Sequence, residues 1–148
     1  MTPSAEEIAK LRITLNRVSF LETIRLRDLD PLLDAVEARD FAKDEVIFRQ
    51  GDAGDALYII ASGAVEVSRR FLWIKKVVAV RRPGEFVGEM ALISKERRNA
   101  TITGRAPGML YRIPKEAFNT ILMNNEEIRE KIEQVNARRK QEDEAAGR

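Results

Sequence analysis

Between Asp40 and Ile113 the sequence breaks into short runs of strand-forming residues separated by turns. Glu45-Val46-Ile47-Phe48 follows a Lys43-Asp44 turn. Residues 56–61, ALYIIA, are rich in residues that favour strands. Gly63 separates them from residues 64–68, which alternate at period two, and residues 76–80, Ile102 and residues 109–113 complete the series. Short strands at close spacing cannot each bury a face alone. They must close on one another, which predicts a small antiparallel β-barrel or jelly roll.

Helical periods flank this region. Ser4-Ala5-Glu6-Glu7 has the form of a capping box, and Ile8, Leu11, Leu15 and Val18 follow as a stripe. Residues 19–22 read as a break. A second helix is expected from about Arg27 to Val36, with Leu29, Leu32, Leu33 and Val36 on one face and Pro31 in its first turn. Beyond the strands, Pro114 opens a helix whose apolar face is Phe118, Ile121 and Leu122. Asn125 is placed to cap a last helix carrying Ile128, Ile132 and Val135, which runs into a polar tail. The expected class is therefore α+β, an antiparallel β-barrel or jelly roll flanked by N-terminal and C-terminal helices. A chain of 148 residues makes one domain. Its expected parts are N-terminal helices over 1–40, the barrel over 41–113 and the C-terminal helices over 114–148. The two terminal stripes serve either to pack on their own barrel or to pair two copies of the chain.

Residues 86–102, FVGEMALISKERRNATI, carry the chemistry. They follow a Pro83-Gly84 turn signal. Gly88 permits close backbone approach to a ligand, and Glu89-Met90-Ala91-Leu92 reads as one helical turn. Free N–H groups at the start of such a turn suit an anion. Arg98 adds a guanidinium made for two-point phosphate recognition. Glu89 cannot help hold an anion, but it can accept from a sugar hydroxyl. Together these groups describe a pocket for a sugar phosphate of low charge.

At these residues the chain resembles the cyclic nucleotide-binding domain family. Gly88-Glu89-Met90-Ala91-Leu92 followed by Arg98-Asn99-Ala100-Thr101 is similar to that family's phosphate-binding cassette, and residues 51–63, GDAGDALYIIASG, resemble its glycine-and-aspartate turn before a strand. The resemblance implies a ligand site at Gly88, Glu89, Met90, Ala91, Arg98, Asn99 and Ala100. Arg98 and the N–H groups near Ala91 would hold the cyclic phosphate, and Glu89 the ribose 2′-hydroxyl. The implied ligand is cAMP first and cGMP second, with no cofactor. The implied mechanism is a last helix closing over the base, through Ile128, Ile132 or Lys131, with Phe118 at its joint. Two positions depart from the pattern. Arg97 stands where the family often has Pro. Asn99 stands where cAMP-preferring members often have Ala and cGMP-preferring members Thr or Ser, so base preference stays open. The glycines of the 51–54 turn are expected to set backbone shape, and Asp52 and Asp55 are given no ligand role.

Composition narrows the alternatives. The chain has no Cys and no His, which removes a disulfide framework, thiolate metal sites and the commonest general base. With no paired carboxylates either, an enzyme is not expected. The net charge of +2 argues for neither nucleic acid nor membrane as partner, and the longest apolar run, residues 56–61, is far too short to span a bilayer. No secretory signal is visible, so a cytoplasmic domain without membrane insertion is expected. An attached effector domain or a partner protein would receive its signal. The remaining alternatives are an interaction module of the same fold without ligand, and a binder of a cyclic dinucleotide that uses Arg97 for a second phosphate.

One connection is unusual. Residues 69–75, RRFLWIK, place Phe71, Leu72, Trp73 and Ile74 where the family often has a polar hairpin. The expectation is that some of them pack on the barrel or on a terminal helix. The other reading is an exposed apolar patch for a partner.

Overall fold

The computed structural model describes residues 3–18, 21, 29–92 and 94–145. The element order is α1 (Ala5–Leu15), α2 (Asp30–Asp34), β1 (Glu37–Phe41), β2 (Val46–Phe48), β3 (Ala56–Phe71), β4 (Ile74–Arg81), β5 (Phe86–Val87), a 3₁₀ turn (Glu89–Leu92), β6 (Thr101–Pro114), α3 (Lys115–Asn124) and α4 (Glu126–Ala145). The six strands form one antiparallel sheet ordered β1-β6-β3-β4, with β2 also on β6 and β5 also on β3. This is the expected α+β class, a folded antiparallel sheet with helices before and after it.

Two long strands carry the sheet. β3 and β6 pair from Ala56 opposite Pro114 to Ser68 opposite Thr101. Each was expected as two strands and is one, because its glycine bends the chain without ending the ladder. Register shifts fall around Ser62 and Ala64. There Gly63 has φ +75°, and a Cβ on it would lie 2.5 Å from the Pro107 carbonyl oxygen. A Cβ on Gly108 would strike the Ser62 carbonyl. Only glycines let the two backbones pass this closely.

The sheet separates two apolar clusters. Ala56, Tyr58 and Ile60 of β3 point into one, with Phe41, Ile47, Val65, Val87, Ile102 and Leu110. Leu57 and Ile59 point into the other, with Tyr111, Ile113, and the helical residues Leu11, Leu15, Leu32, Phe118, Ile128 and Ile132. Residues 56–60 are thus all buried because both faces of the strand are covered. α1 opens with the expected capping box: the Glu7 N–H donates to Ser4 Oγ and the Ser4 N–H to Glu7 Oε1, both at 3.2 Å. The Tyr111 hydroxyl donates to Glu7, tying that helix to the sheet.

Several boundaries differ from expectation. β1 starts at Glu37, inside the stretch expected to be helical, and α2 is a single short helix ending at Asp34. The β1 sequence EARDF lacks alternation, and the strand exists through its backbone pairing with β6. The break at residues 19–22 and the start of the second helix lie largely outside the described residues. So do the side chains of Ile121, Leu122 and Val135.

The Phe71–Ile74 connection corrects the packing expectation. Leu72 and Trp73 form a two-residue turn between paired Phe71 and Ile74. Phe71 is 79% exposed, Leu72 68%, Trp73 80% and Ile74 64%. The hairpin outruns the rest of the sheet, so neither of its faces meets a covering layer at the tip.

Candidate functional site

Arg98 is placed by its backbone before its side chain. Its N–H donates to the Asp52 carbonyl at 2.8 Å, and its carbonyl accepts from the Gly51 N–H at 2.8 Å. The glycine-and-aspartate turn thereby clamps the cassette, helped by a bridge between Ala53 and Arg97. Within the turn, Asp52 Oδ2 accepts from the Arg49 N–H at 2.9 Å and takes no part in the cleft. From this anchor the Arg98 side chain runs inward and is only 4% exposed.

The guanidinium is held on several sides. Nη2 donates to the Ala56 carbonyl at 2.9 Å and to Asp55 Oδ1 at 3.3 Å, and Nη1 to the Gly88 carbonyl at 3.4 Å. The Phe48 ring lies under it, 3.9 Å from ring centroid to Cζ, a cation–π contact. Burial holds its pKa below the ordinary arginine value, and the neighbouring Asp55 carboxylate offsets part of that. An arginine so placed remains a cation. Nε, however, is buried and has no hydrogen-bond partner among the described residues. Gly88 is glycine for a steric reason: its φ is +77°, and a Cβ there would collide with Arg98 Nη1.

The 3₁₀ turn faces this cation. The Ala91 N–H, expected among the anion donors, closes the turn on the Gly88 carbonyl at 3.1 Å. The N–H groups of Glu89 and Met90 stand before the turn's own bonds, at its open start. The Glu89 carboxylate is half-buried and has no hydrogen bond or ion pair among the described residues. Gly88, Glu89, Met90, Ala91, Arg98, Asn99 and Ala100 all line one cleft. Asn99 is exposed at its edge, and its carbonyl accepts from Arg69 Nε at 3.1 Å. Arg97 is exposed too, with Nη1 on the Gly51 carbonyl at 3.0 Å.

Distant parts of the chain complete the cleft, and sequence reasoning missed them. Phe48 of β2, Val67 of β3 and Arg81 of β4 line it. Asp55 is no ligand group but the counter-charge of the site: it pairs with Arg98 at 3.3 Å and with Arg112 Nη2 at 3.2 Å. Burial lowers the Arg112 pKa, but hydrogen bonds to Asp55 and Tyr58 outweigh it and raise the value. The sequence carries little signal for Asp55, because a carboxylate that is 61% exposed ahead of the apolar run 56–61 is solvated with or without a cation beside it. Lys115 was also missed. Its N–H donates to the Asp55 carbonyl at 2.9 Å and its Nζ to the Ser94 carbonyl at 3.0 Å, so the first residue of α3 is tied to the residue before β3 and to the segment after the 3₁₀ turn.

The expected lid residues stand elsewhere. Ile128 and Ile132 are buried in the helix-side cluster beside Phe118, and neither lines the cleft. Asn125 does cap α4, its Oδ1 accepting from the Ile128 N–H at 3.0 Å.

Comparison with known proteins follows the same residues. The family model of the cyclic nucleotide-binding domain matches residues 38–125. A cGMP-dependent protein kinase of Eimeria tenella is 31% identical over 125 residues, 84% of this chain and 12% of that protein. A cAMP-dependent protein kinase regulatory subunit of Dictyostelium discoideum is 34% identical over 111 residues, 72% of this chain and 34% of that protein. The chain therefore spans only a minor part of these relatives. Among solved structures, the regulatory domain of Toxoplasma gondii PKA with cAMP superimposes with a TM-score of 0.73 at 27% identity, over 80% of this chain and 46% of that one. The sensor domain of the transcriptional regulator DNR from Pseudomonas aeruginosa, 21% identical with a TM-score of 0.73 over 90% of this chain and 91% of that one, shares the fold. With the matched segment running from β1 through α3 and enclosing the whole cleft, the chain belongs to the cyclic nucleotide-binding domain family.

Proposed function

We propose that this chain is a sensor domain that binds a cyclic mononucleotide between Arg98 and the Glu89–Leu92 turn, cAMP ahead of cGMP. The observation that carries the reading is the buried Arg98 Nε, which has no partner among the described residues, in a cleft that also holds Glu89, likewise without a partner among them. An unmet buried donor costs about 1–3 kcal/mol, and a singly charged cyclic phosphate relieves it. The open N–H groups of Glu89 and Met90 add donors to the phosphate. The ribose 2′-hydroxyl donates to the Glu89 carboxylate. Asn99 offers an amide with both a donor and an acceptor at the mouth. The relatives include both cAMP- and cGMP-dependent kinases, and cAMP is placed first because solved neighbours at 27% and 28% identity hold it.

The signal passes through α3 and α4 to an attached effector domain or a partner protein. Lys115 links the site to α3, and Phe118 anchors α3 in the core. Swinging α4 over the base withdraws Ile128 and Ile132 from their cluster, at about 1.5–3 kcal/mol each unless they are buried again on the ligand. The ligand must favour the closed state by at least that amount.

Calorimetry with cAMP, cGMP and a cyclic dinucleotide on the intact chain and on Arg98→Ala tests the reading. The intact chain is expected to bind cAMP, and Arg98→Ala to lose about a hundredfold or more, since charged hydrogen bonds contribute about 1.5–3 kcal/mol each. Tight binding that survives Arg98→Ala refutes the site. Absence of binding to all three favours the interaction module without ligand.

A further inference from the structure

The β3–β4 hairpin ends in four consecutive apolar side chains exposed to solvent. Val77 and Val78 behind them are also about half exposed. The next two rungs of the ladder are entirely cationic: Arg70 opposite Lys75 and Arg69 opposite Lys76. Paired residues share a face and successive rungs alternate, so one cation pair lies on each face. The rungs sit about 3–7 Å behind the tip. Across 69–78 the sequence RRFLWIKKVV contains no acid. The nearest counter-charge is Glu66, 3.7 Å from Lys75.

The hairpin's root is fixed. Gln50 clasps Arg70 through both its amide groups, Oε1 accepting from the Arg70 N–H at 2.7 Å and Nε2 donating to its carbonyl at 3.1 Å. The tip is therefore held out in a set orientation. Its turn also breaks local rules: Leu72 has φ +58°, where glycine or asparagine fits best. A bulky apolar residue at such a position serves something other than the turn.

We propose that this tip docks on an anionic phospholipid bilayer. Phe71, Leu72, Trp73 and Ile74 enter the boundary between headgroups and acyl chains, and Arg69, Arg70, Lys75 and Lys76 lie level with the lipid phosphates. A bilayer accepts a tip that is apolar on every side, whereas a protein groove covers one face. A second copy of this chain would oppose the same four cations to themselves. The surface contact needs no membrane-spanning segment, and among the described residues no helix is long and apolar enough to cross a membrane. The small net charge of the chain hides this local cluster.

Trp73 is the single tryptophan, so its emission reads the tip directly. The full chain is sedimented with phosphatidylcholine vesicles and with phosphatidylcholine–phosphatidylglycerol vesicles. Partition to the anionic vesicles is expected to exceed that to the neutral ones by about tenfold or more and to fall with salt, with a blue shift of Trp73 emission. A double variant, Leu72→Asn with Ile74→Thr, keeps the reporter and the turn and is expected to lose about tenfold in partition. Equal partition to both vesicles, no sedimentation with the anionic ones, or an unchanged double variant overturns the proposal. So does a blue shift that grows with protein concentration without lipid, which assigns the tip to a second copy.

Discussion

One apolar run opens strand β3 and another spans its far end and the turn into β4, and the two have opposite fates. Residues 57–60 are no more than 4% exposed, while residues 71–74 are at least 64% exposed. Hydrophobicity does not separate them; the neighbours do. The first run is flanked by β5 and β6 and covered on both faces. The second sits on a two-stranded ribbon that reaches past every covering element. Burial is thus a property of the layers around a strand, and a strand longer than its layers ends in solvent whatever its side chains. At one end of β3 the Ala56 carbonyl holds Arg98 Nη2 beside the cleft, and at the other the side chains stand in solvent.

The largest effect that tests this contrast is a pair of matched truncations. Ile60→Ala is expected to destabilise by about 2–5 kcal/mol, because it removes contacts and leaves a cavity. Ile74→Ala is expected to stay within about 0.5 kcal/mol. Denaturant midpoints at unchanged slope measure both. If Ile74→Ala costs as much as Ile60→Ala, the tip is covered in solution and the contrast fails.

Ion pairs at the two ends sharpen the same point at smaller scale. Asp55 stands just before β3 and faces a guanidinium that is 4% exposed, while Lys75 and Glu66 meet 3.7 Å apart near the far end. Asp55→Asn leaves Arg98 without its counter-charge. Because Asp55 itself is 61% exposed, the expected loss is about 1–2 kcal/mol, below that for a fully buried pair. Lys75→Gln is expected to cost no more than about 0.5 kcal/mol. Thermal unfolding of the two variants beside the parent chain ranks them, and equal losses would deny Arg98 its special environment.

Much of this arrangement is legible in the sequence, for reasons that differ by residue. Strand alternation and glycine turns marked the sheet because each acts locally. The cassette was legible because its chemistry lies within one loop, and the fold had only to close that loop for Gly88, Glu89 and Arg98 to meet. Gly63 looks like a break in the sequence, since a glycine that bends a strand and one that ends it are alike until the partner strand is known. β1 was hidden because EARDF is held by β6 rather than by its own side chains. Phe48, Asp55 and Lys115 reach the site from remote segments, and no local spacing connects them to it. Packing of some of residues 71–74 is the natural expectation because the sequence records their hydrophobicity and is silent on whether a layer covers them.

Leu72 gives the smallest effect and the finest discrimination between the two ends of β3. Its left-handed conformation costs a side-chain-bearing residue about 1–2 kcal/mol. Glycine removes that cost but gives the unfolded chain about 0.4–1 kcal/mol of additional freedom. Leu72→Gly is therefore expected to stabilise by about 0.5 kcal/mol, a rise of about 2 °C in Tm. At the buried end, every loss of an apolar side chain lowers stability; at the exposed end, this loss should raise it. If the same variant also partitions less to anionic vesicles, Leu72 is a residue whose presence weakens the fold and strengthens surface contact. If Leu72→Gly instead lowers the Tm, the side chain contributes packing, and the two ends of β3 are alike after all.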